Sequence, residues 1–486
     1  MATDQNTTTR AGRGVLVATC VSALVVNANT SAVSILLPAI SKDVGTSTAT
    51  LQWAVTGYSL VGAAVVVTAG VLGDIAGRRR IFVAGLWLFV ASCALIALSS
   101  NGAGVIAGRA IQGAAGSTLL ACGLSLLSVA ATGQEQMRAV AIWGAASAAG
   151  AALGPLLGGA LVDTVGWQAL FWVDAAVAVL CVPLTLRTVK ESSDPDRPRS
   201  VDIAGTLLIA ATLVPLVLAF SEGPSWGWTS PATLLCLAAS VVAGIGFVAV
   251  ERRIRLPLID LRLLRNRVLL GATVAILIVA GTINGLMYVI SLYFQDPDGL
   301  AMSSFEAGLA TLPAAAGLVV VSPFVSSLAA RIGSRNVIGL GFIIATVAFG
   351  TLLFAGDAWP YSKFVLPLIA VAVGLGLANG CASAAATASV ARREVGAASG
   401  LSNMARYVGA AVLTALSATI YAGAPAGQPG HGVTRASLLM TLVCLVGVAI
   451  AVLYGRHRPR PGHTVDRAAA AAAVAHTVPG SANTDD

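Results

Sequence analysis

Two arginines stand where a chain seldom puts charge: Arg109 lies within one long apolar stretch and Arg406 within another. Placing a guanidinium inside a lipid-crossing helix costs on the order of 2.5–3.5 kcal/mol on insertion scales, so such a residue is functional by default. Arg109 could relay a proton or charge an internal cavity. It could also snorkel outward or bond backbone carbonyls. Gln112, one helical turn on, shares its face. In the first apolar stretch Asn27, Asn29, Thr30, Ser31 and Ser34 form a polar stripe at helical spacing. That stripe lines a cavity or hydrogen-bonds neighbouring helices. No aspartate or glutamate falls in the middle of an apolar stretch. Asp163, Asp174, Glu222, Asp296, Asp298, Glu306 and Asp357 are placed at helix ends or in loops on one side. If a proton is carried, elimination points to an acid at a helix end, Asp163 or Glu222. The four histidines lie in a loop or the tail, which leaves histidine chemistry within the apolar part unsupported. The seven cysteines all fall in apolar stretches without a CxxC pair, and read as small buried hydrophobes rather than metal ligands. With no nucleotide loop and no large soluble domain, a membrane enzyme or receptor is disfavoured. No catalytic residue, metal or cofactor is expected.

The elements that must position these residues follow from composition. Of 486 residues, 57% are hydrophobic and 10% charged, with a mean hydropathy of +0.85, whereas a soluble chain carries about 25% charged residues. A hydrocarbon core about 30 Å thick needs about 20 apolar residues per helix. Backbone groups in lipid must be satisfied internally, so the runs should be helices, and they lack the alternation of barrel strands. Fourteen spans are predicted, over 15–40, 51–73, 81–99, 104–130, 138–162, 168–188, 202–221, 231–250, 268–294, 304–330, 336–356, 363–390, 397–422 and 434–455. An even number puts both termini on one side. If that side is cytoplasmic, it holds 24 of the 29 lysines and arginines, against Lys42, Lys363 and Arg435 outside. This split predicts cytoplasmic termini, and it explains the net charge of +8 as a topology signal rather than a nucleic-acid site. Arginine outnumbers lysine 26 to 3, which suggests a GC-rich bacterial genome and a bacterial inner-membrane location.

The expected organisation is a polar N-terminus over 1–14, a six-helix bundle over 15–188, a charged linker over 189–201 and two inserted helices over 202–250. A basic connector over 251–267, suited to anionic lipid, leads to a second six-helix bundle over 268–455 and a low-complexity cytoplasmic tail over 456–486. The first apolar run is too long for a signal-peptide core and reads as a retained helix. Leu72, Gly77 and Arg79 recur as Leu328, Gly333 and Arg335, 256 residues later. Such an echo fits two related halves with a binding site near the midplane between them.

Two motifs carry more. Gly70-Val-Leu-Gly-Asp74-Ile-Ala-Gly77-Arg78-Arg79-Arg80 joins the second and third spans. Its glycines allow a tight turn, and Asp74 can cap a helix or pair with an arginine in one conformation only. In the fifth span Ala146, Gly150, Gly154 and Gly158 recur every four residues and form a face without side chains, while Pro155 removes a backbone donor and bends the helix.

The first motif resembles the loop signature of the major facilitator superfamily, GxLaDrxGrk, with Ile75 at the usual arginine. The second, Gly150 through Gly154-Pro155 to Gly158-Gly159, resembles the GxxxGPxxGG signature of that superfamily's exporters, and the resemblance implies efflux. Leu51-Gln52-Trp53 through Tyr58 resembles the lqWvvtaYlL opening of helix 2. Gly166-Trp167 through Asp174 resembles the gWrWiFliN opening of helix 6. Gly308 through Pro313 resembles GLxxLP of helix 10, and Gly396 through Gly409 resembles GaaSGlxnxxrxxG of helix 13. Together these are similar to the fourteen-helix drug:proton antiporter branch. The resemblance implies an all-α membrane protein of the major facilitator fold, two six-helix bundles plus two inserted helices. It implies a transporter that exports amphipathic small molecules against protons by alternating access, and the chain is expected to work as a monomer. The rival of the same fold is a nutrient importer. Asn29, Tyr58, Arg109 and Gln112 are the expected cavity groups, with Arg406 as a lesser one. Gly70, Asp74, Gly77, Arg78 and Arg79 form the conformational loop. One departure stands out: the branch commonly has an aspartate in helix 1, in lDxTivnvALPxi, where this chain has Asn29, which cannot take up a proton near neutral pH.

Overall fold

Apolar runs bounded by capping residues produce helices throughout. The computed structural model describes residues 2–453 except 132, 193–201, 255–256, 303, 357–358, 392–393 and 426; some further side chains, including those of 2–12, Pro155 and Asp163, are not among the described ones. The tail over 456–486, most of the predicted linker and the Arg392–Arg393 pair therefore lie outside the described residues. The helices are α1 (Ala2–Val44), α2 (Thr48–Ala76), α3 (Arg78–Ala97), α4 (Gly102–Ala130), α5 (Gly133–Thr164), α6 (Gln168–Thr188), α7 (Ile203–Trp226), α8 (Pro231–Glu251), α9 (Arg267–Gln295), α10 (Ser304–Ala310), α11 (Leu312–Ile332), α12 (Ser334–Leu352), α13 (Ser362–Ala388), α14 (Val395–Ala422) and α15 (Pro429–Leu453). Among the described residues no strand occurs. Among the described residues, fourteen spans are long and apolar enough to cross a membrane, α10 and α11 together making the tenth. That span breaks at Thr311, whose hydroxyl bonds the Gly308 carbonyl at 2.7 Å, just before Pro313, which has no N–H to continue the ladder.

Side-chain caps fix several helix starts. Ser47 accepts the Thr50 N–H at 3.1 Å, Asn101 that of Gly104 at 2.8 Å, and Asp202 that of Gly205 at 2.8 Å. Each satisfies a donor that the first turn leaves open. Helices α1–α6 pack on one another, as do α9 and α11–α15; α7 and α8 pair together, with α7 also touching α2 and α14.

The sequence echo has a structural counterpart. Gly77 joins α2 to α3 with φ 105° and ψ 123°, and Gly333 joins α11 to α12 with φ 85° and ψ 143°. A positive φ of this kind is strained for any residue with a side chain. The arginine two positions on does the same work in each copy. Arg79 donates to the Val189 carbonyl at the end of α6 at 3.3 Å. Arg335 donates to Ala451 and Val452 at the end of α15, at 2.7 and 3.0 Å. Each guanidinium thus covers carbonyls left open at the end of its bundle's last helix.

Candidate functional site

Inside the first bundle, five helices bring polar groups to one place. Arg109 lies seven residues into α4, about 10 Å from its start at 1.5 Å per residue. Its Nη1 donates to Asn29 Oδ1 of α1 at 2.6 Å and to Gln112 Oε1 at 2.5 Å. Its Nε donates to the Ala54 carbonyl of α2 at 3.3 Å. Its guanidinium carbon sits 4.4 Å from the centre of the Tyr58 ring, a cation–π contact strengthened by desolvation. Asn29 in turn donates from Nδ2 to Asp174 Oδ2 of α6 at 2.6 Å. Gln112 Nε2 contacts Cys93 Sγ of α3 at 3.0 Å. Asn29, Arg109 and Gln112 are 0% exposed, Tyr58 3% and Asp174 5%. The result is a line of side chains, Asp174–Asn29–Arg109–Gln112, in which an amide bridges a carboxylate and a guanidinium. Among the described residues, Arg109 Nη2 has no hydrogen-bond partner.

Small residues make this arrangement possible. A Cβ on Gly113 would run into the Tyr58 carbonyl, and one on Gly116 would meet the Tyr58 hydroxyl at 2.5 Å. Glycine at both positions lets α2 lie close enough for Ala54 and Tyr58 to reach Arg109. On α5, a Cβ at Gly150 or Gly154 would strike the carbonyls of Leu24 and Ala28 on α1, and one at Gly158 would meet the Ala32 Cβ at 3.0 Å. Gly159 faces open space, so three of the four motif glycines form the seam. Helix α5 runs unbroken through Pro155.

The structure relocates one residue decisively. The sequence puts Asp174 at a helix end; it lies six residues inside α6 and is buried. Of the two acids reached by elimination, Asp163 has a side chain outside the described residues. Glu222 is half-buried in the last turn of α7, accepting from Thr56 at 3.3 Å and from Ser225 at 3.4 Å. The line Asp174–Asn29–Arg109 therefore contains neither.

Arg406 lies elsewhere, between the bundles. It donates from Nη1 to Asn379 Oδ1 at 2.9 Å and from Nη2 to Ser383 Oγ at 2.6 Å, both on α13. Its guanidinium faces the Trp143 ring of α5 at 5.6 Å. Asn379, Ser383 and Trp143 were not singled out in the sequence, since an isolated polar or aromatic residue in a span has no periodic signal.

The conformational loop makes contacts between bundles. Asp74 Oδ1 accepts from Arg78 at 2.5 Å and from the Gly396 N–H of α14 at 3.1 Å. Both residues of the ion pair are buried. The α2 and α14 backbones touch at Gly70 and Gly396, where neither position has room for a Cβ. Close by, Ser128 and Gln136 donate to Thr387 at 2.9 and 3.2 Å, and Ser399 donates to the Ala121 carbonyl at 2.6 Å. Deeper in, Ser117 and Tyr407 share a 2.8 Å hydrogen bond. The hydrogen bonds described between the two bundles thus gather toward the end where α2 meets α3.

Comparison with known proteins agrees with this architecture. A family model described as Major Facilitator Superfamily matches residues 19–414. The chain is 32% identical over 447 residues to the puromycin resistance protein pur8 of Streptomyces alboniger, covering 90% of this chain and 88% of that one. It is 31% identical over 370 residues to the tetracenomycin C resistance and export protein of Streptomyces glaucescens, covering 75% and 67%. The cephamycin export protein CmcT of Amycolatopsis lactamdurans is 29% identical over 445 residues, covering 90% and 91%. Among solved structures, the human organic anion transporter MFSD10 superposes with a TM-score of 0.66 at 14% identity, over 90% of this chain and 99% of that one. At that identity the match speaks for the fold alone.

Proposed function

The chain belongs to the major facilitator superfamily, and on that premise we propose that it exports amphipathic organic small molecules from a bacterial cytoplasm by alternating access and proton antiport. The observation that carries the reading is the similarity, along up to nine-tenths of the chain, to proteins named for antibiotic resistance and export. The curated relatives named above are resistance and export proteins, which favours export over the importer alternative. Geometry favours the transport cycle. The contacts at Asp74, Gly396 and Thr387 join the bundles at one end and are made of hydrogen bonds that a rocking motion can break. In this reading both termini are cytoplasmic, the basic connector rests on anionic lipid, and the protein works as a monomer. The Arg406 guanidinium, held between the bundles against Trp143, would meet carbonyl-rich or anionic parts of the cargo. Asn29, Arg109 and Gln112 are fully enclosed in this conformation, so their part is to hold and transmit charge.

The test is resistance and accumulation in a pump-deficient bacterial host expressing the wild type or Arg109→Ala, across a panel of antibiotics and dyes. The wild type is expected to raise resistance and lower accumulation for a subset, and Arg109→Ala to lose both. No difference between wild type and empty vector for any compound would refute the reading.

A further inference from the structure

We propose that Asp174 is the group that takes up and releases the coupling proton, with Asn29 positioning it against Arg109; this rests on the antiport reading above. The geometry is specific. Asp174 is buried inside a span, about 9 Å along α6; the other buried acid described in the first bundle, Asp74, lies in the last turn of α2, where Arg78 and the Gly396 N–H hold it. Its described hydrogen bond comes from Asn29, and Asn29 takes one from Arg109. Carboxylate and guanidinium are thus linked but not in contact. A direct buried ion pair would hold both charges fixed. An amide between them keeps the charges near enough to offset one another and leaves the carboxylate free to accept a proton.

The other acids of the spans fit less well. Glu222 is half-buried in the inserted helix α7, held by Thr56 and Ser225. Glu251 is buried, but at the last residue of α8 beside Gly205 and Asp202, away from the two bundles' polar chain. The groups facing Asp174 from its surroundings are Asn29 of α1, Arg109 of α4 and Cys93 of α3, with Tyr58 of α2 beyond Arg109. From α5, no described titratable side chain faces it.

The step balances simply. A proton from external water converts the Asp174 carboxylate to the acid, and later leaves to cytoplasmic water, restoring the carboxylate. When Asp174 is neutral, the Asn29 bond loses its charge-assisted character, which makes such bonds roughly twice as strong as neutral ones. The tie between α1 and α6 then loosens. Helix α1 is locked to α5 through Gly150 and Gly154, and α5 meets the second bundle where Ala141 packs against Gly380 of α13. Protonation at Asp174 therefore bears on a helix pair that reaches the interface between the bundles.

The experiment uses the full chain in lipid vesicles with ethidium as probe. Ethidium uptake driven by an imposed pH gradient is compared with ethidium exchange without one, for the wild type, Asp174→Asn, Asp174→Glu and the exchange variant Asn29→Asp with Asp174→Asn. Asp174→Asn is expected to fall to the gradient-driven rate of protein-free vesicles while keeping exchange. Asp174→Glu and the exchange variant are expected to recover driven uptake. In parallel, infrared titration across about pH 5 to 9 should show a carboxylic-acid band in the wild type that Asp174→Asn removes. Driven uptake by Asp174→Asn at the wild-type rate overturns the proposal. If the wild type ignores the gradient, or does not carry ethidium, the infrared result decides. A titrating band lost in Asp174→Asn retains Asp174 as a proton site although the antiport reading itself has failed or needs another cargo; a band unchanged by the substitution overturns it.

Discussion

The α1–α5 seam allows a graded prediction from single methyl groups. Replacing glycine by alanine inside a helix gains about 1 kcal/mol in propensity. Where the new methyl has no room, overpacking costs about 1–3 kcal/mol. At Gly159 nothing lies within 4 Å of the added Cβ, so Gly159→Ala should be neutral or stabilising by up to about 1 kcal/mol. At Gly158 the nearest atom is the Ala32 Cβ at 3.0 Å; a small shift of α1 relieves it, and gain and cost should nearly cancel. At Gly150 and Gly154 the methyl overlaps backbone carbonyls, with the Leu24 and Ala28 carbonyl carbons each at 2.9 Å. A carbonyl within a helix cannot rotate away, so the cost lies at the top of the range and the net loss is about 2 kcal/mol. That is about 30-fold in the folded-to-unfolded ratio. Between helices in lipid, close packing supplies the association energy that water supplies elsewhere, so the loss should appear in full. Unfolding of the purified protein in detergent, followed by intrinsic fluorescence, would rank the four. Gly159→Ala as damaging as Gly150→Ala, or Gly150→Ala indistinguishable from wild type, would refute the packing argument.

Three further outcomes follow from the same contacts. Asp74→Ala removes both the Arg78 ion pair and the Gly396 bond, so a cysteine placed by Ala141→Cys should react faster with an impermeant maleimide; an unchanged rate would contradict a lock at this end. Arg109→Gln removes the cation that offsets the Asp174 carboxylate through Asn29 and leaves a buried charge uncompensated, which is destabilising. Membrane abundance should fall, and Arg109→Gln with Asp174→Asn should recover part of it, as measured by immunoblot. A green fluorescent protein fused to the C-terminus should fluoresce and an alkaline phosphatase there should be inactive, because the α2–α3 joint with Arg78, Arg79 and Arg80 lies at the end where α1 begins; the reverse would invert the topology.

The fold was legible because lipid imposes one rule on every segment: enough consecutive apolar residues and satisfied backbone. Helix ends were less so. Helix α1 runs on to Val44 and α7 to Trp226, past the apolar stretches that announce them, because polar residues extend a helix wherever its neighbours supply contacts. Arg109, Gln112 and Asn29 were legible as polar residues in apolar runs, and the structure joins all three. The four-residue spacing put Gly158 on the packing face, and the structure sets it against Ala32 while the adjacent Gly159 meets open space.

Asp174 escaped for a reason that is physical rather than statistical. Counted from Gly166-Trp167 it sits near the rim of a span. Depth, however, is set by partners. Trp167 Nε1 and Gln168 Nε2 both donate to Asp43 on the far turn of α1, each at 2.9 Å, so the start of α6 is pinned to an α1 that projects beyond its apolar stretch. That pin carries Asp174 inward to the level of Asn29. The family patterns quoted for helices 1 and 6 have an acid in the first and an amide in the second, whereas this chain has Asn29 and Asp174. Taken separately, one is the loss of a carboxylate and the other a minor variation. Joined by a 2.6 Å hydrogen bond, they are one amide–carboxylate pair with its members exchanged, and the exchange moves the titratable group one residue further from Arg109 without removing it from the chain of contacts. That is why restoring the order, by Asn29→Asp with Asp174→Asn, is the variant that separates a working proton site from a merely structural buried acid.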